Sequence, residues 1–132
     1  MAVIPDKYLD LLQEKKAIAN LATIMADGSP QVTPVWFDYT DGVIRVNTAK
    51  GRVKSRTLRP GAPVALAIMD PDNAYRYIQI RGRVRRGVER GADAHIDSLA
   101  KKYLGKDTYP FRQPGEVRVM YDIEPVSISG MD

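Results

Sequence analysis

Residues 17–48 read AIANLATIMA-DGSP-QVTPVWFDY-TDG-VIRVNT. Ala17–Ala26 is apolar and partly β-branched, and Asp27-Gly28-Ser29-Pro30 ends it with turn formers, so it predicts a strand and a hairpin. Gln31–Tyr39 is the return strand. Pro34 has no N–H to give a ladder, which places this strand at a sheet edge or at a bulge. Thr40-Asp41-Gly42 supplies a second tight turn, and Val43–Thr48 alternates as a third strand. Three strands joined by short turns make an antiparallel meander.

Working outward, Pro5–Lys16 places Ile4, Tyr8, Leu11 and Leu12 at helical spacing, which predicts an amphipathic helix. On the other side, Ala49–Pro60 (AKGRVKSRTLRP) breaks the β pattern and reads as a loop running into a short helix. Pro63–Met69 is a nearly continuous apolar strand, as if covered on both faces. Asp70-Pro71-Asp72-Asn73 is a turn cluster. Tyr75–Glu89 is a long strand with Gly82 and Gly87 as expected kinks or bulges. Gly91–Leu104 has helical spacing and ends at Gly105. Lys106–Gly115 is a loop, and Glu116–Ser129 is the last strand. The expected fold is mainly β, an antiparallel barrel closed or nearly closed, with short peripheral helices.

At 132 residues the chain suits one domain, 1–132, which buries roughly two-thirds of its unfolded surface. No apolar run approaches the roughly 20 residues of a membrane span, and the N-terminus lacks the pattern of a signal peptide, so a cytoplasmic protein is expected. Cysteine is absent, which excludes disulfides and thiol chemistry. The one histidine, His95, cannot hold a metal by itself and reads as a surface or structural residue. Ser55 and Ser98 have no base in a readable motif. Neither a P-loop nor a Rossmann glycine pattern is present. A reaction carried by this chain is therefore cofactor chemistry.

Twenty Lys and Arg oppose sixteen Asp and Glu, a net charge of +4. The cations cluster: Lys50, Arg52, Lys54, Arg56 and Arg59 occur with no acid among them, and Arg76, Arg81, Arg83, Arg85 and Arg86 form a second group. In Asn47–Arg56 a strand end, a glycine loop and a helix start combine, a place where backbone N–H groups, a helix dipole and a guanidinium fork favour an anion. Residues two apart on a regular helix diverge by about 200°. Arg52 and Lys54 can therefore share one phosphate only if the first turn is not yet helical or through their long side chains; the alternative is a solvated basic helix. Trp36 and Phe37 point to opposite faces of their strand. One belongs to the core, and the other is free to wall a planar ligand.

Pro30–Phe37, Val46–Arg56, Leu58-Arg59 leading to Pro63–Leu66, and Arg76–Gly82 together resemble the pyridoxamine 5'-phosphate oxidase-like split barrels, specifically their deazaflavin branch that uses coenzyme F420. The resemblance covers nearly the whole chain. It implies a homodimer with cofactor at the subunit interface. Residues Gln31, Val32, Thr33, Pro34 and Val35, with neighbouring Trp36, and Asn47, Thr48 and Ala49 would border the ring, and Lys50, Arg52, Val53 and Lys54 the phosphate. Tyr77 and Gln79 would come from the other subunit. The arginine-bearing C-terminal segment of the vitamin B6 oxidases is missing from Tyr121–Asp132, so oxidation of pyridoxamine phosphate is not expected. The implied activity is hydride transfer between the deazaflavin and a small organic substrate. An FMN oxidoreductase and a cofactor binder without turnover are the alternatives on the same scaffold. A nucleic-acid module is disfavoured, because the basic loop carries no aromatic residue on which a base could stack.

Overall fold

The computed structural model describes residues 2–132. A 3-10 turn at Asp6–Tyr8 leads into α1 (Leu9–Gln13), followed by β1 (Ala19–Ile24), β2 (Pro30–Val35), β3 (Asp38–Thr40) and β4 (Val43–Ala49). Then come α2 (Val53–Thr57), β5 (Pro63–Asp70), β6 (Asn73–Val88), α3 (Ala92–Leu104) and β7 (Arg118–Met131). All seven strands form one antiparallel sheet in the order β2-β1-β5-β6-β7-β4-β3.

The expected single strand Gln31–Tyr39 is two strands, β2 and β3, at opposite edges of that sheet. Only Trp36 and Phe37 join them. Val35 and Asp38 can lie at most about 11 Å apart, whereas the edges of a flat seven-stranded sheet are roughly 30 Å apart at the usual strand spacing. The sheet must curl until its edges meet, and the barrel is split where they do. Pro34, paired with Asn20 on β1 only, sits on an edge strand as its missing N–H requires.

A backbone that leaves the ladder at this seam needs other hydrogen-bond partners, and α3 supplies them. Lys102 Nζ donates to the Phe37 carbonyl at 2.9 Å. Tyr103 Oη donates to the Ala17 carbonyl at 2.6 Å and accepts from the Phe37 N–H at 3.4 Å. Burial pushes the Tyr103 phenol up to about 12. Burial likewise lowers the Lys102 ammonium, opposed by the charge of Asp38. The Phe37 side chain is fully buried in the core with Leu21, Ile44, Leu66, Ile80 and Ile123.

The β3–β4 hairpin closes on Asp41 (φ 53°) and Gly42 (φ 79°), the two left-handed positions of a type I′ turn. On β6, Gly82 adjoins a register shift and permits close approach, since a Cβ there would fall 2.5 Å from the Glu124 carbonyl oxygen. Gly87 is not a bulge. The register shift lies at Arg85, and Gly87 instead makes room for the Tyr121 ring. Within the single chain β5 is covered on one face: Val64, Leu66 and Ile68 point inward, while Ala67 and Met69 are exposed.

The expected N-terminal helix is a 3-10 turn plus α1, anchored by Ile4, Tyr8, Leu11 and Leu12 in the core. Buried Asp70 ties it to the β5–β6 hairpin. This carboxylate accepts from Lys15 Nζ at 2.8 and 3.0 Å, from the Asp72 N–H at 2.9 Å and from Arg76 Nη1 at 2.8 Å. Arg76 also holds Asp10. Lys15, the Asp72 N–H and Arg76 keep the Asp70 carboxyl well below the usual carboxylate range.

Two outcomes follow. Tyr103→Phe leaves the Ala17 carbonyl and Phe37 N–H without their partner and should cost about 1–3 kcal/mol in denaturant unfolding; no change in midpoint would contradict the seam account. Asp70 binds its proton more readily unfolded than folded, so its stabilisation is complete above about pH 4 and is lost as pH falls further. The melting temperature should hold from pH 7 to about 5 and drop below about 4. Asp70→Asn should lower it at neutral pH and flatten that acid slope; an unchanged slope would exclude this role.

Candidate functional site

At the seam, β2 ends beside β3 and β4, and the loop after β4 turns into α2. There a cavity of about 220 Å³ opens between Pro34, Val35 and Trp36 on one side and Asn47, Thr48, Arg52 and Lys54 on another. α3 contributes Ile96 and Leu99, the loop after α3 contributes Tyr109 and Phe111, and Arg118 of β7 completes the wall.

The cationic side follows from local backbone geometry. Arg52 precedes α2 in an extended conformation (φ −77°, ψ 164°), so it is not yet helical and can line the same cavity as Lys54. The expected dipole contribution is not available, because α2 has only five residues. Anion affinity at this point rests on the side chains. Neither Arg52 nor Lys54 is paired with a carboxylate among the described residues, whereas Lys50 is paired with Glu89 at 3.1 Å. Lys54 Nζ is held by Thr33 Oγ1 at 3.2 Å. Burial and then the charge of Arg52 push its ammonium below the ordinary lysine value. An anion between the two cations would relieve that repulsion.

The opposite wall is aromatic. Trp36 stacks on Tyr103 with centroids 5.3 Å apart and planes within 8°, and Tyr109 meets it edge-on at 6.0 Å. Tyr109 in turn contacts the exposed Phe111. Their loop is pinned to α3: the Tyr109 N–H and Arg112 both donate to Asp97, and Arg112 also pairs with Asp93.

Beneath the cavity runs a line of polar residues. Arg118, with only 4% of its surface exposed, donates through Nε to Asn47 Oδ1 at 2.9 Å and pairs with Glu116. Asn47 Nδ2 reaches the Ala92 carbonyl at 2.9 Å and His95 Nδ1 at 3.0 Å. With the Asn47 amide oxygen taken by Arg118, its nitrogen must face His95, so Nδ1 accepts and the ring proton sits on Nε2. That nitrogen lies 3.2 Å from Asp38 Oδ2, off the line of a good hydrogen bond. Arg45 grips Asp38 with two 2.8 Å bonds. Burial raises the Asp38 carboxyl, but His95 and Arg45 outweigh it and hold the group below its ordinary value. His95 is thus a buried structural residue.

Of the expected ligand residues, seven meet in this cavity: Pro34, Val35, Trp36, Asn47, Thr48, Arg52 and Lys54. Thr33 supports Lys54 from behind. Gln31 and exposed Val32 lie further along β2. Ala49 is buried opposite Arg118. Lys50 opens onto a different cavity beside Glu89, and Val53 onto a third beside Arg56. Tyr77 and Gln79 are on the outer sheet face, Gln79 bonded to Ser129 at 3.0 Å, and neither lines the cavity. Sequence reading missed Ile96, Leu99, Tyr109, Phe111 and Arg118. Two signals were available, an aromatic pair inside a polar loop and a lone arginine flanked by Val117 and Val119.

One test of what the cavity accepts is Thr48. Its side chain is 3% exposed and its hydroxyl has no partner among the described residues, although it lines the cavity. A buried hydroxyl left unpaired is costly. With two cations lacking counter-ions and an aromatic wall, the residues present fit a planar ligand with polar edges and an anionic group.

Comparison with known proteins agrees with this fold. No curated protein matches the chain. Among solved structures, one described as an F420 reductase is 32% identical, with 96% of this chain and 98% of that chain covered and a TM-score of 0.79. A conserved hypothetical protein of Mycobacterium tuberculosis (23% identity, 98% and 86% covered, TM-score 0.72) shares the fold. So does an FAD and heme binding protein of Mycobacterium smegmatis (17%, 98% and 71%, TM-score 0.71). The family model for pyridoxamine 5'-phosphate oxidase matches residues 4–131. The split sheet, the cavity at its seam and this match place the chain in the pyridoxamine 5'-phosphate oxidase family of oxidoreductase-type split barrels.

Proposed function

We propose that this protein is a coenzyme F420-dependent oxidoreductase that transfers hydride between the deazaflavin and a small organic substrate. The observation that carries the proposal is the pairing, in one cavity, of two cations without counter-ions with a tryptophan wall and an unpaired buried hydroxyl. The similar structure described as an F420 reductase favours deazaflavin over FMN, which the same scaffold would also suit.

In this reading Arg52 and Lys54 hold the phosphate, Arg52 as a planar fork and Lys54 as a point charge. Pro34, Val35 and Trp36 border the ring, and Thr48 Oγ1 offers it a hydrogen bond. Ile96, Leu99, Tyr109 and Phe111 keep water from one side of the cavity, which strengthens the polar interactions inside. When bound, coenzyme F420 supplies a two-electron hydride carrier. In this reading the protein's part is binding, orientation and exclusion of water.

A homodimer belongs to the same proposal. Ala67, Met69, Tyr77 and Met131 leave an apolar stretch of the outer face of β5, β6 and β7 exposed in the single chain. A second copy would cover it, and only across a subunit interface could Tyr77 and Gln79 reach a cofactor.

Calorimetric titration of coenzyme F420 and FMN tests the phosphate site. Arg52→Ala and Lys54→Ala should each weaken binding about ten- to a hundredfold, the value of a charge-assisted hydrogen bond. The double variant should lose less than the sum if both grip one phosphate. Arg85→Ala, an exposed cation outside the cavity, should change affinity only slightly and in a salt-sensitive way. Equal losses at all three positions would mean that only net charge matters. Trp36, the single tryptophan, should be quenched by cofactor with the dissociation constant found by dialysis; unchanged emission at saturation would place it away from the ring.

A further inference from the structure

Arg118 is the buried charge that the reading above does not use. Its side chain is 3% exposed, yet it lines the cavity. Its guanidinium is fixed by Nε on Asn47, by Nη1 on Glu116, and by the Tyr109 ring, whose centroid lies 5.1 Å from Cζ. The supports are fixed in turn. Asn47 is tied to Ala92 and His95, and Glu116 Oε2 accepts the Gln113 N–H at 2.9 Å. Arg118 itself holds the Glu116 carboxyl below its ordinary value.

Two features separate this arrangement from a purely structural pair. First, Nη2 has no protein partner among the described residues, so donors of a fully charged group remain available at the cavity wall. Second, a buried ion pair contributes little net stability compared with apolar residues of similar volume. Stability alone therefore gives little reason for a rigid, charged arginine here.

We infer that Arg118 is a second ligand-binding point, distinct from Arg52 and Lys54, that takes a hydrogen-bond-accepting edge of the bound ring and favours its reduced form. This rests on the cofactor reading above. A neutral ring that takes up a hydride gains two electrons, one proton and therefore one negative charge. A fixed guanidinium beside an accepting edge stabilises that added charge more than it stabilises the neutral oxidised ring. Glu116 moderates the effect, because its carboxylate offsets part of the positive field.

The test is the midpoint potential of coenzyme F420 bound to the intact protein, together with the separate affinities of the oxidised and reduced forms and the melting temperature of each variant. In Arg118→Gln the reduced form should bind about ten- to a hundredfold more weakly, with the oxidised form changing less than about threefold. For a two-electron couple the ratio of those changes is a fall in potential of roughly 15–60 mV. Arg118→Lys, which keeps the charge, should retain most of the preference. Glu116→Gln should shift the potential upward, opposite to Arg118→Gln, which a merely structural role would not produce. If Arg118→Gln does not fold, the Glu116→Gln/Arg118→Gln double variant, free of an orphaned buried carboxylate, carries the test and should show the fall relative to Glu116→Gln alone. Oxidised and reduced forms weakened equally, or both single variants moving the potential the same way, would overturn the role of Arg118 alone. Wild-type protein that binds neither coenzyme F420 nor FMN would overturn the cofactor reading and this inference with it.

Discussion

The structure depends on a length constraint. β2 and β3 occupy opposite edges of one seven-stranded sheet, yet Trp36 and Phe37 alone connect them. A two-residue link cannot cross a flat sheet, so the sheet is drawn into a barrel whose last two edges come within reach of that link but share no hydrogen-bonded ladder. The consequences run in both directions from that link. Phe37 turns inward and fills the core, and Trp36 turns to the cavity that the unpaired seam leaves open. The site exists because the barrel is split there.

The seam is kept in place by α3. Its C-terminal end satisfies the backbone of Phe37 through Lys102 and Tyr103, and its N-terminal part engages Asn47 and Asp38 through Ala92 and His95. The same helix anchors the Tyr109–Phe111 loop through Asp97. One helix therefore sets the spacing of strand edges, the floor of the cavity and its aromatic rim. Residues that never face a ligand, such as His95 and Asp38, act on the site by holding Asn47 and Arg118 in one orientation.

Much of the fold was legible in the sequence because it is written locally. The turns at Asp27-Gly28 and Asp41-Gly42, the alternation of Val43–Thr48 and the placement of Pro34 on an edge depend on a few adjacent residues. The break inside Gln31–Tyr39 was not legible, because the apolar run continues through it and the cause of the break is closure of the whole sheet. The outer face of β5 could not be resolved from the pattern for a related reason: alanine and methionine are exposed in the single chain, and a pattern count does not say which chain would cover them. Of the expected site residues, Pro34, Val35, Trp36, Asn47, Thr48, Arg52 and Lys54 share one cavity, whereas Gln31, Val32, Ala49, Lys50 and Val53 of the same segments do not line it. The polar line from Glu116 through Arg118, Asn47 and His95 to Asp38 was out of reach, since it joins four separate segments of the chain.

The central claim is that the cavity at the seam is the cofactor site. A crystal structure of the protein grown with coenzyme F420 tests it most directly. The account predicts the phosphate within hydrogen-bonding distance of Arg52 and Lys54, the ring against Trp36 with an acceptor near Thr48 Oγ1, and two protomers meeting so that Tyr77 and Gln79 approach the cofactor of the other. Cofactor bound instead on the outer sheet face between Ile24, Pro63 and Val126, where a separate groove lies, with the seam cavity unaltered, would contradict it.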